Sequence, residues 1–201
     1  DWSAATDVSV LNGDFLNKHP FEGELFGKKV LFFSSNRPGA EGGFDLFYSE
    51  MNGDDFGLPV NLGPVVNTKQ DEISPFYKEG TLYYSTSGQP GMGGFDLFYA
   101  TWNGSKWEDP VNMGYQYNSS YDDMFLRIDP SGKRGFIVSN RPFKGKLKMK
   151  ASETCCDDIY GFAIKELVID LFTEITNEKG PLEGATVEVY DLTLGGYPDT
   201  K

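Results

Sequence analysis

The chain is poor in the residues that mark most hydrolases, disulfide frameworks and membrane spans. It has one histidine and two cysteines in 201 residues, and the cysteines are adjacent, which excludes a disulfide-rich framework. No apolar run reaches about 18 residues, so no helical membrane span is predicted. Lysine and arginine total 18 against 30 acidic residues, for a formal net charge of −12 at pH 7. This charge argues against binding nucleic acid or an anionic membrane surface.

Aromatic residues, glycine and proline are abundant instead. The chain has 16 Phe, 11 Tyr, 24 Gly and 11 Pro. Aromatic residues favour strands, and glycine and proline favour tight turns. The composition therefore predicts many short strands joined by turns.

A segment of 31 residues occurs twice. Residues 42–72 and 93–123 align without gaps at an offset of 51 residues and share 15 identities. The motif GGFDLFY at 42–48 returns at 93–99, and PVN at 59–61 returns at 110–112. Such a period is typical of a repeat fold, in which each copy is one structural unit.

A third, looser copy follows, and a trace of an earlier one precedes the first. The motif SNRP at 35–38 returns at 139–142, and Asp158 takes the place of Asp45. The third copy carries an insertion at 143–154. Trp2 and Ala5 align with Trp107 and Pro110 of the second copy.

Each repeat is predicted to form four strands. In the second copy these cover residues 73–77, 81–85, 96–101 and 107–113, and the last strand begins at Trp107. Asn52-Gly53 and Asn103-Gly104 predict two-residue hairpin turns. The segment 129–132, DPSG, predicts a type I turn closed by glycine. Four strands in about 50 residues predict an all-β fold, a partial β-propeller of about three four-stranded blades, with a β-sandwich as the alternative.

Two domains are predicted. Residues 1–165 are propeller blades, and because three blades do not close easily, we expect N-terminal blades to be missing from a larger, six-bladed propeller. Residues 166–201 show a different pattern, with two strands flanking a turn at Gly180-Pro181 and alternation at Ala185, Val187 and Val189. This pattern predicts the beginning of an immunoglobulin-like sandwich.

The motifs resemble those of a known group of envelope proteins. SSNRPG at 34–39, GGFDLFY at 42–48 and PVNLG at 59–63 are similar to the TolB-like, WD40-like propeller repeat of proteins that also carry an OmpA-like peptidoglycan-binding domain. CCDDIY at 155–160 resembles the last blade of such proteins, and the tail resembles a carboxypeptidase-regulatory-like domain. This domain order is similar to that of a periplasmic lipoprotein of the type IX secretion system.

The resemblance implies a non-catalytic scaffold for protein–protein interactions in the periplasm, associated with the outer membrane. It implies protein partners from the cell envelope. Peptidoglycan would be bound only through a domain absent from this chain, and a lipid anchor would likewise lie outside it.

The recurrent acids Asp45, Asp96 and Asp158 begin the third strand of each repeat. We interpret each carboxylate as an acceptor for backbone N–H groups of the glycine-rich loop, with Gly43 and Gly94 as structural residues of the same repeat. A calcium site is the alternative. It would need six or more converging oxygens, and no Asp-x-Asp-x-Asp-Gly loop is present. No metal or cofactor is therefore predicted.

Catalytic residues are not evident. His19 is the single histidine, and no nucleophile motif accompanies it. The alternative function is a carbohydrate-binding or glycoside-hydrolysing propeller, which would need paired carboxylates on inner strands. The candidates are Glu22, Glu24, Glu72, Asp122 and Asp123.

Two groups of basic residues are possible partner contacts. One is a stripe of alternating lysines inside the third-copy insertion, which either is solvated or contacts an acidic partner. The other is Arg37 and Arg141, which either brace the loop after the second strand or bind a ligand. The stripe consists of Lys144, Lys146, Lys148 and Lys150.

Cys155 and Cys156 admit two interpretations. Adjacent cysteines form a disulfide only through a strained ring, which an oxidising compartment permits. We favour separate thiols, and neither cysteine has the neighbouring base of a catalytic thiol.

Overall fold

The structure is a computed structural model that describes residues 3–142, 157–164, 176–177 and 180–181. All regular elements in these residues are β-strands, which confirms the prediction of an all-β fold. In this part of the chain no helix is long and apolar enough to cross a membrane. The chain divides into two compact units, residues 1–165 and 166–201.

The described residues of the first unit form three antiparallel sheets, one for each sequence repeat. The first sheet has five strands, the second has four and the third has three. The first is formed by β1 (Asn17–Leu25), β2 (Lys28–Ser35), β3 (Asp45–Asn52), β4 (Asp55–Phe56) and β5 (Val60–Asn61). The second is formed by β6 (Glu72–Lys78), β7 (Thr81–Thr86), β8 (Asp96–Thr101) and β9 (Val111–Asn112). The third is formed by β10 (Asp123–Ile128), β11 (Arg134–Ser139) and β12 (Asp158–Ala163).

The first three predicted strands of the second repeat lie within one residue of the observed ones at each end. The fourth is shorter than predicted. Of residues 107–113, only Val111–Asn112 form a strand, and Trp107 forms an isolated bridge with Trp102. Pro110 explains the interruption, because it has no N–H group to continue the ladder.

The turns differ in one respect from the sequence prediction. Asn52 pairs with Asp55, so the two-residue turn is Gly53-Asp54 rather than Asn52-Gly53. In the second repeat the bridge between Trp102 and Trp107 encloses four residues, so that turn is longer than predicted. The turn at 129–132 is confirmed, since the Gly132 N–H donates to the Asp129 carbonyl at 3.0 Å and Gly132 has a φ of 72°.

Hydrophobic cores lie where consecutive sheets pack together. The core between the first and second sheets is contributed by both, with Phe32 and Leu46 from one and Leu82 and Tyr84 from the other. A second core joins the second and third sheets. Its buried members are Phe76, Leu97, Leu126 and Ile137.

A β-bulge interrupts the first strand of every repeat. The register shifts between Lys18 and Phe21, between Ile73 and Phe76, and between Met124 and Arg127. Each bulge contains one residue that is not glycine but has a left-handed backbone conformation, which is uncommon for such residues. These residues are His19 with a φ of 57°, Ser74 with 51° and Phe125 with 54°.

The second unit is described only where two short strands pair. β13 (Thr176–Asn177) is antiparallel to β14 (Gly180–Pro181). The sequence prediction of a turn at Gly180-Pro181 is wrong, because both residues pair across this ladder. Proline is compatible with an edge position, where no N–H group is needed.

Candidate functional site

Asp45 and Asp96 hold the loop that precedes the third strand of the first two repeats. Both carboxylates are buried, at 0% and 1% exposure. Each accepts hydrogen bonds from two successive backbone N–H groups, so each stabilises the loop in one conformation. The donors are Glu41 and Gly42 to Asp45, at 2.8 and 3.2 Å, and Met92 and Gly93 to Asp96, at 2.9 Å each.

Gly43 and Gly94 lie where each repeat meets the next. Gly43 contacts Asp71 so closely that a Cβ atom on the glycine would collide with Asp71 Oδ1, and Gly94 stands in the same relation to Asp122. The Phe44 N–H donates to Asp71 Oδ1 at 2.8 Å. The glycine is therefore needed for the close approach that lets the carboxylate reach the neighbouring loop.

Two asparagines fasten the third strand of the first and second sheets. Asn67 is 2% exposed and bonds both backbone groups of Leu46. Its Oδ1 accepts from the Leu46 N–H at 2.8 Å, and its Nδ2 donates to the Leu46 carbonyl at 3.0 Å. Asn118 makes the same two bonds to Leu97, at 2.7 and 2.9 Å. Each asparagine therefore supplements the ladder at the end of the short fourth strand, where Leu62 and Met113 donate their N–H groups to the same two leucine carbonyls at 3.1 Å.

Asp158 holds the same register position as the other two aspartates. It pairs with Ser139, as Asp45 pairs with Ser35. Unlike Asp45, it is exposed. The loop that would correspond to residues 41–43 falls in the segment 143–156, which lies outside the described residues.

In the third repeat, an arginine balances the acid at the start of the first strand. Arg141 Nη2 forms an ion pair with Asp123 Oδ1 and also donates to the Tyr117 carbonyl. Its Nε donates to Ser139 Oγ at 3.0 Å. Since Asp123 is 0% exposed, the guanidinium supplies the countercharge that a buried carboxylate requires.

Arg37 holds the equivalent position in the first repeat, where its partner is neutral. Its Nη2 donates to Asn17 Oδ1 at 3.0 Å and to the Leu11 carbonyl at 2.8 Å. Arg37 is 8% exposed, and burial lowers its pKa. Its guanidinium is thus engaged inside the first sheet. The guanidinium carbon also lies over the rings of Phe15, Phe33 and Phe47, at 4.6, 4.9 and 5.3 Å from their centroids.

The second repeat has a glycine, Gly88, at the arginine position. A Cβ atom on Gly88 would collide with Thr68 Oγ1. The acid there is Glu72, which is 0% exposed and forms no ion pair within the described part of the chain. It accepts hydrogen bonds from the Thr68 N–H at 2.8 Å, from Thr68 Oγ1 at 2.7 Å and from Thr86 Oγ1 at 2.6 Å. Burial raises the pKa of Glu72, and these hydrogen bonds offset only part of the effect.

His19 takes part in a hydrogen-bonded series that runs along the three bulges. The Ser74 N–H donates to His19 Nδ1 at 3.2 Å, and the Phe125 N–H donates to Ser74 Oγ at 3.2 Å. The His19 ring also meets the Phe125 ring edge to face, with centroids 4.6 Å apart. Because Nδ1 is an acceptor, the neutral ring carries its proton on Nε2.

The surroundings of His19 keep it neutral. Burial, with a smaller contribution from the positive charges of Lys18 and Arg127, lowers its pKa to about 4. Its basic nitrogen already accepts a backbone hydrogen bond. No hydroxyl or thiol nucleophile bonds to the ring among the contacts of the described residues, so the arrangement does not form a catalytic triad.

A cation lies where the three first strands approach one another. Phe21 and Phe76 follow the bulge by two residues in the first two repeats, and their rings meet at 5.0 Å. Arg127 holds this position in the third repeat, with its guanidinium carbon 5.2 and 5.6 Å from those two ring centroids. Burial lowers the pKa of Arg127. This contact, like the bulges, could not be recognised from the repeat motifs, because the residue type changes at this position.

Four of the five carboxylates considered for glycoside hydrolysis have structural contacts, and the fifth, Glu24, is exposed. Asp122 accepts from the Phe95 N–H at 3.0 Å and from Asn140 Nδ2 at 3.1 Å. Glu22 is exposed and pairs with Lys29 at 3.3 Å. Glu72 and Asp123 are buried with the partners given above. None of these five acids lines the clefts described below.

The described residues of the first unit line several clefts. A cleft of about 230 Å³ lies beside β1 and β2 and is mainly apolar, lined among others by Val8, Leu31 and Phe33. A cleft of about 370 Å³ lies between the second and third sheets. One of about 290 Å³ includes Asp7, Asp54 and Asp55. Within the described residues, no group of three or more His, Cys, Asp or Glu side chains could hold a metal ion.

Several predicted residues lie outside the described part of the chain. They are Cys155, Cys156 and the lysine stripe Lys144, Lys146, Lys148 and Lys150. Their roles stay predictions.

Comparisons with known proteins give little. No family model matches the chain, and no curated protein matches it. Among solved structures, the crystal structure of an α-L-arabinofuranosidase from Lactobacillus brevis is similar, at 13% identity and a TM-score of 0.46. The match covers 88% of this chain and 58% of that one, so the chain spans less than two thirds of its length.

Proposed function

We propose that the chain is a non-catalytic scaffold for protein–protein interactions, built from consecutive β-propeller blades. One observation carries the proposal: the recurrent polar side chains are used to hold loops and strands. Backbone groups are bonded by two aspartates, Asp45 and Asp96, and by two asparagines, Asn67 and Asn118. The carboxylates of both aspartates therefore have partners inside the protein. Residues engaged in this way are not available as acid, base or nucleophile.

The propeller arrangement is supported by the stacking of the sheets. Each sheet corresponds to one repeat, and each shares a core with its neighbour. The first strands contact one another, and this is how blades meet at their inner edge. We propose that further blades of the same kind, six in all, belong to the complete assembly.

The short outer strands β5 and β9, which are the fourth strands of the first two repeats, offer a contact surface suited to a protein partner. Val60 and Val111 hold equivalent positions and are 45% and 46% exposed, and Leu58 is 79% exposed. Aliphatic groups on an outer strand can pack against a partner while the neighbouring polar groups solvate the free surface. The predicted lysine stripe would add contacts with an acidic partner.

The resemblance to envelope proteins gives the proposed location. On this basis we propose that the protein lies in the periplasm, associated with the outer membrane, as part of a peptidoglycan-associated type IX secretion component. We propose protein partners from the cell envelope, and peptidoglycan binding only through a domain outside this chain. The second unit, residues 166–201, is proposed to begin a carboxypeptidase-regulatory-like sandwich.

The proposal is tested by cross-linking capture. The purified chain, carrying a photoreactive group at Leu58, is incubated with envelope extract, and a chain labelled at the exposed Tyr115 serves as the matched control for position. A defined protein adduct at Leu58 that unlabelled chain competes away is expected.

Carbohydrate activity is the outcome that would overturn the proposal. Saturable binding of oligosaccharides on a glycan array, or hydrolysis of aryl glycosides that is lost in Glu72→Gln or Asp123→Asn, would establish the alternative. The folded state of both variants is checked by near-UV circular dichroism.

A further inference from the structure

The cleft of about 370 Å³ between the second and third sheets is lined by residues of both. One wall comes from the β6–β7 hairpin, and the other comes from β10, the turn that follows it and Ile164. Because both walls belong to sheets that pack on each other, the cleft does not depend on any further sheet. Its volume lies in the range of ligand-binding clefts, about 300–1,000 Å³.

The corresponding junction between the first and second sheets is closed by aromatic rings. Tyr77 of the second sheet stacks on Phe32 of the first, with ring centroids 5.3 Å apart. Gly23 lies against both rings, since a Cβ atom built on it would be 3.0 Å from Phe32 and 3.3 Å from Tyr77. Val30, which is 0% exposed, belongs to the same core as Phe32. Apolar contacts therefore fill this junction.

Four equivalent positions differ at the junction that holds the cleft, and each change adds a polar group or removes bulk. By strand register, the equivalents are Lys78 for Gly23, Thr81 for Val30, Tyr83 for Phe32 and Ile128 for Tyr77. All four replacing side chains line the cleft. Because isoleucine is smaller than tyrosine, Ile128 leaves space that a ring would occupy. An ammonium group and two hydroxyl groups border the space that results.

The ammonium group of Lys78 is held only by weak contacts. Its Nζ lies 3.4 Å from the Asp129 carbonyl oxygen and 3.5 Å from that of Pro130, whereas an ordinary N–H···O bond spans about 2.7–3.2 Å. Glu79 Oε1 is 4.0 Å away, on a side chain that is 85% exposed, so it compensates the charge of Lys78 only slightly. The Lys78 side chain itself is 22% exposed. A cation in this position gains from an anion at closer range.

We propose that this cleft binds a carboxylate group of a protein partner. Lys78 Nζ pairs with the carboxylate, and the hydroxyl groups of Thr81 and Tyr83 supply further donors. A carboxylate fits better than a phosphate, because one ammonium group balances a single negative charge and Glu79 at the rim repels a second. The inference rests on the proposed function and deepens it by naming an anchor site and the chemistry that it recognises.

The test titrates the isotope-labelled, 201-residue chain with small probes and follows the amide signals of Ser131 and Gly132 by NMR. N-acetyl-glutamate methylamide carries a side-chain carboxylate and should give saturable shifts at pH 7 and constant ionic strength. N-acetyl-glutamine methylamide is the neutral control and should bind at least about fivefold more weakly, because it cannot form the charge-assisted hydrogen bond.

Two further probes distinguish the sources of the anion. N-acetyl-glutamine with a free α-carboxylate represents the C-terminus of a polypeptide. If it binds more tightly than the glutamate probe, the partner inserts its chain terminus, and if it binds more weakly, the partner inserts an acidic side chain. Inorganic phosphate represents the other class of anion and should bind more weakly than the better of the two carboxylates.

Variants assign the binding to the cleft. Lys78→Met should abolish the preference for the glutamate probe over its neutral control. Lys28→Met, which removes a lysine from an exposed ion pair with Glu50, should keep that preference. Ile128→Tyr introduces the residue type that fills the first junction, so it should close the cleft and abolish binding. Thermal unfolding of each variant checks that the fold is retained, and Lys78→Met requires no repacking of the junction.

Several results would overturn the proposal. They are equal binding of the charged and neutral probes, tighter binding of phosphate, no amide shift at high millimolar probe, and a preference for carboxylate that survives in Lys78→Met. Failure of the probes together with specific capture of an envelope protein at Leu58 would remove only this site and leave the scaffold function standing.

Discussion

The Ser74 backbone N–H donates a hydrogen bond to Nδ1 of His19 across the junction between the first two sheets. Both residues are the left-handed residues of their bulges. The bulge turns a backbone N–H out of the ladder of its own strand, and the side chain of the preceding bulge accepts it. A feature that looks like a local irregularity therefore joins one sheet to the next, and it uses the acceptor nitrogen of the single histidine to do so.

Replacement of His19 should change how stability depends on pH. Because the folded pKa is about 4 and the ordinary value is 6.5, neutral His19 contributes stability above pH 6.5 that is lost as the pH falls towards 4. His19→Asn keeps an acceptor for Ser74 and tolerates the left-handed conformation, but it does not titrate. Between pH 7 and pH 4, the melting temperature of the variant should fall less than that of the parent. An equal fall in melting temperature for parent and variant would contradict a neutral, buried His19. His19→Ala is the control for loss of the hydrogen-bond acceptor.

Replacement of Glu72 by Gln should stabilise the protein most at high pH. Burial raises the folded pKa of Glu72 above its ordinary value of 4.5, so the protonated acid is favoured in the folded state. The stability that the protonated acid contributes is fully present below pH 4.5, and it is lost as the pH rises through the folded pKa. Urea denaturation at pH 8 should give a higher free energy of unfolding for Glu72→Gln than for the parent, and the difference should narrow at pH 4. A variant that is less stable at pH 8 would show that the carboxylate charge is compensated.

Loss of Arg141 should cost more than loss of Arg37. Arg141→Met leaves the buried Asp123 without its countercharge, which typically costs about 3–5 kcal/mol. Arg37→Met is the matched control, because the side-chain partners of Arg37, Asn17 and Ser35, are neutral. Asp123→Asn should restore much of the stability in the Arg141→Met background, as measured by a double-mutant cycle in guanidinium chloride. Additive effects in the cycle would speak against the pair.

A methyl group at Gly43 should be poorly tolerated. Gly43→Ala forces the Asp71 carboxylate away from the Phe44 N–H. Since that hydrogen bond is only partly buried, we expect a loss towards the lower end of the about 1–3 kcal/mol that an unpaired buried donor costs. Gly57→Ala is the control, since its nearest neighbours lie at 3.7 Å, an ordinary contact distance. Thermal unfolding followed by circular dichroism should separate the two variants by several degrees. A Gly43→Ala variant as stable as Gly57→Ala would mean that the loop adjusts without cost.

The asparagine clamp should be sensitive to an isosteric change. Asn67→Asp keeps the acceptor for the Leu46 N–H but cannot donate to the Leu46 carbonyl, and it places a charge in a buried position. We expect a loss of about 1–3 kcal/mol in the free energy of unfolding. Hydrogen exchange measured by mass spectrometry should show faster exchange in β3 than in β8. Equal protection of the two strands would contradict a local role for Asn67.

The sequence identifies the repeat and most strand boundaries, because turn residues and alternating aromatic residues recur with a fixed offset. It also indicates that Asp45 and Asp96 are structural. The bulges escape such reasoning, since histidine, serine and phenylalanine do not signal a left-handed backbone. Sequence reasoning also does not predict which group compensates a buried carboxylate. Arg141 and Gly88 occupy the same position, and only packing shows that threonine hydroxyls replace the guanidinium around Glu72.

The bulge series has a direction, and this limits how the repeats could be rearranged. Ser74 both receives and gives a bond, whereas Phe125 gives its N–H to Ser74 but has no side-chain acceptor to offer onward. In a chain engineered with its first and third repeats exchanged, the phenyl ring of Phe125 would take the place of the imidazole that accepts the hydrogen bond. The three copies share one sequence pattern, yet the bulge residue of each copy is specific to its position in the series.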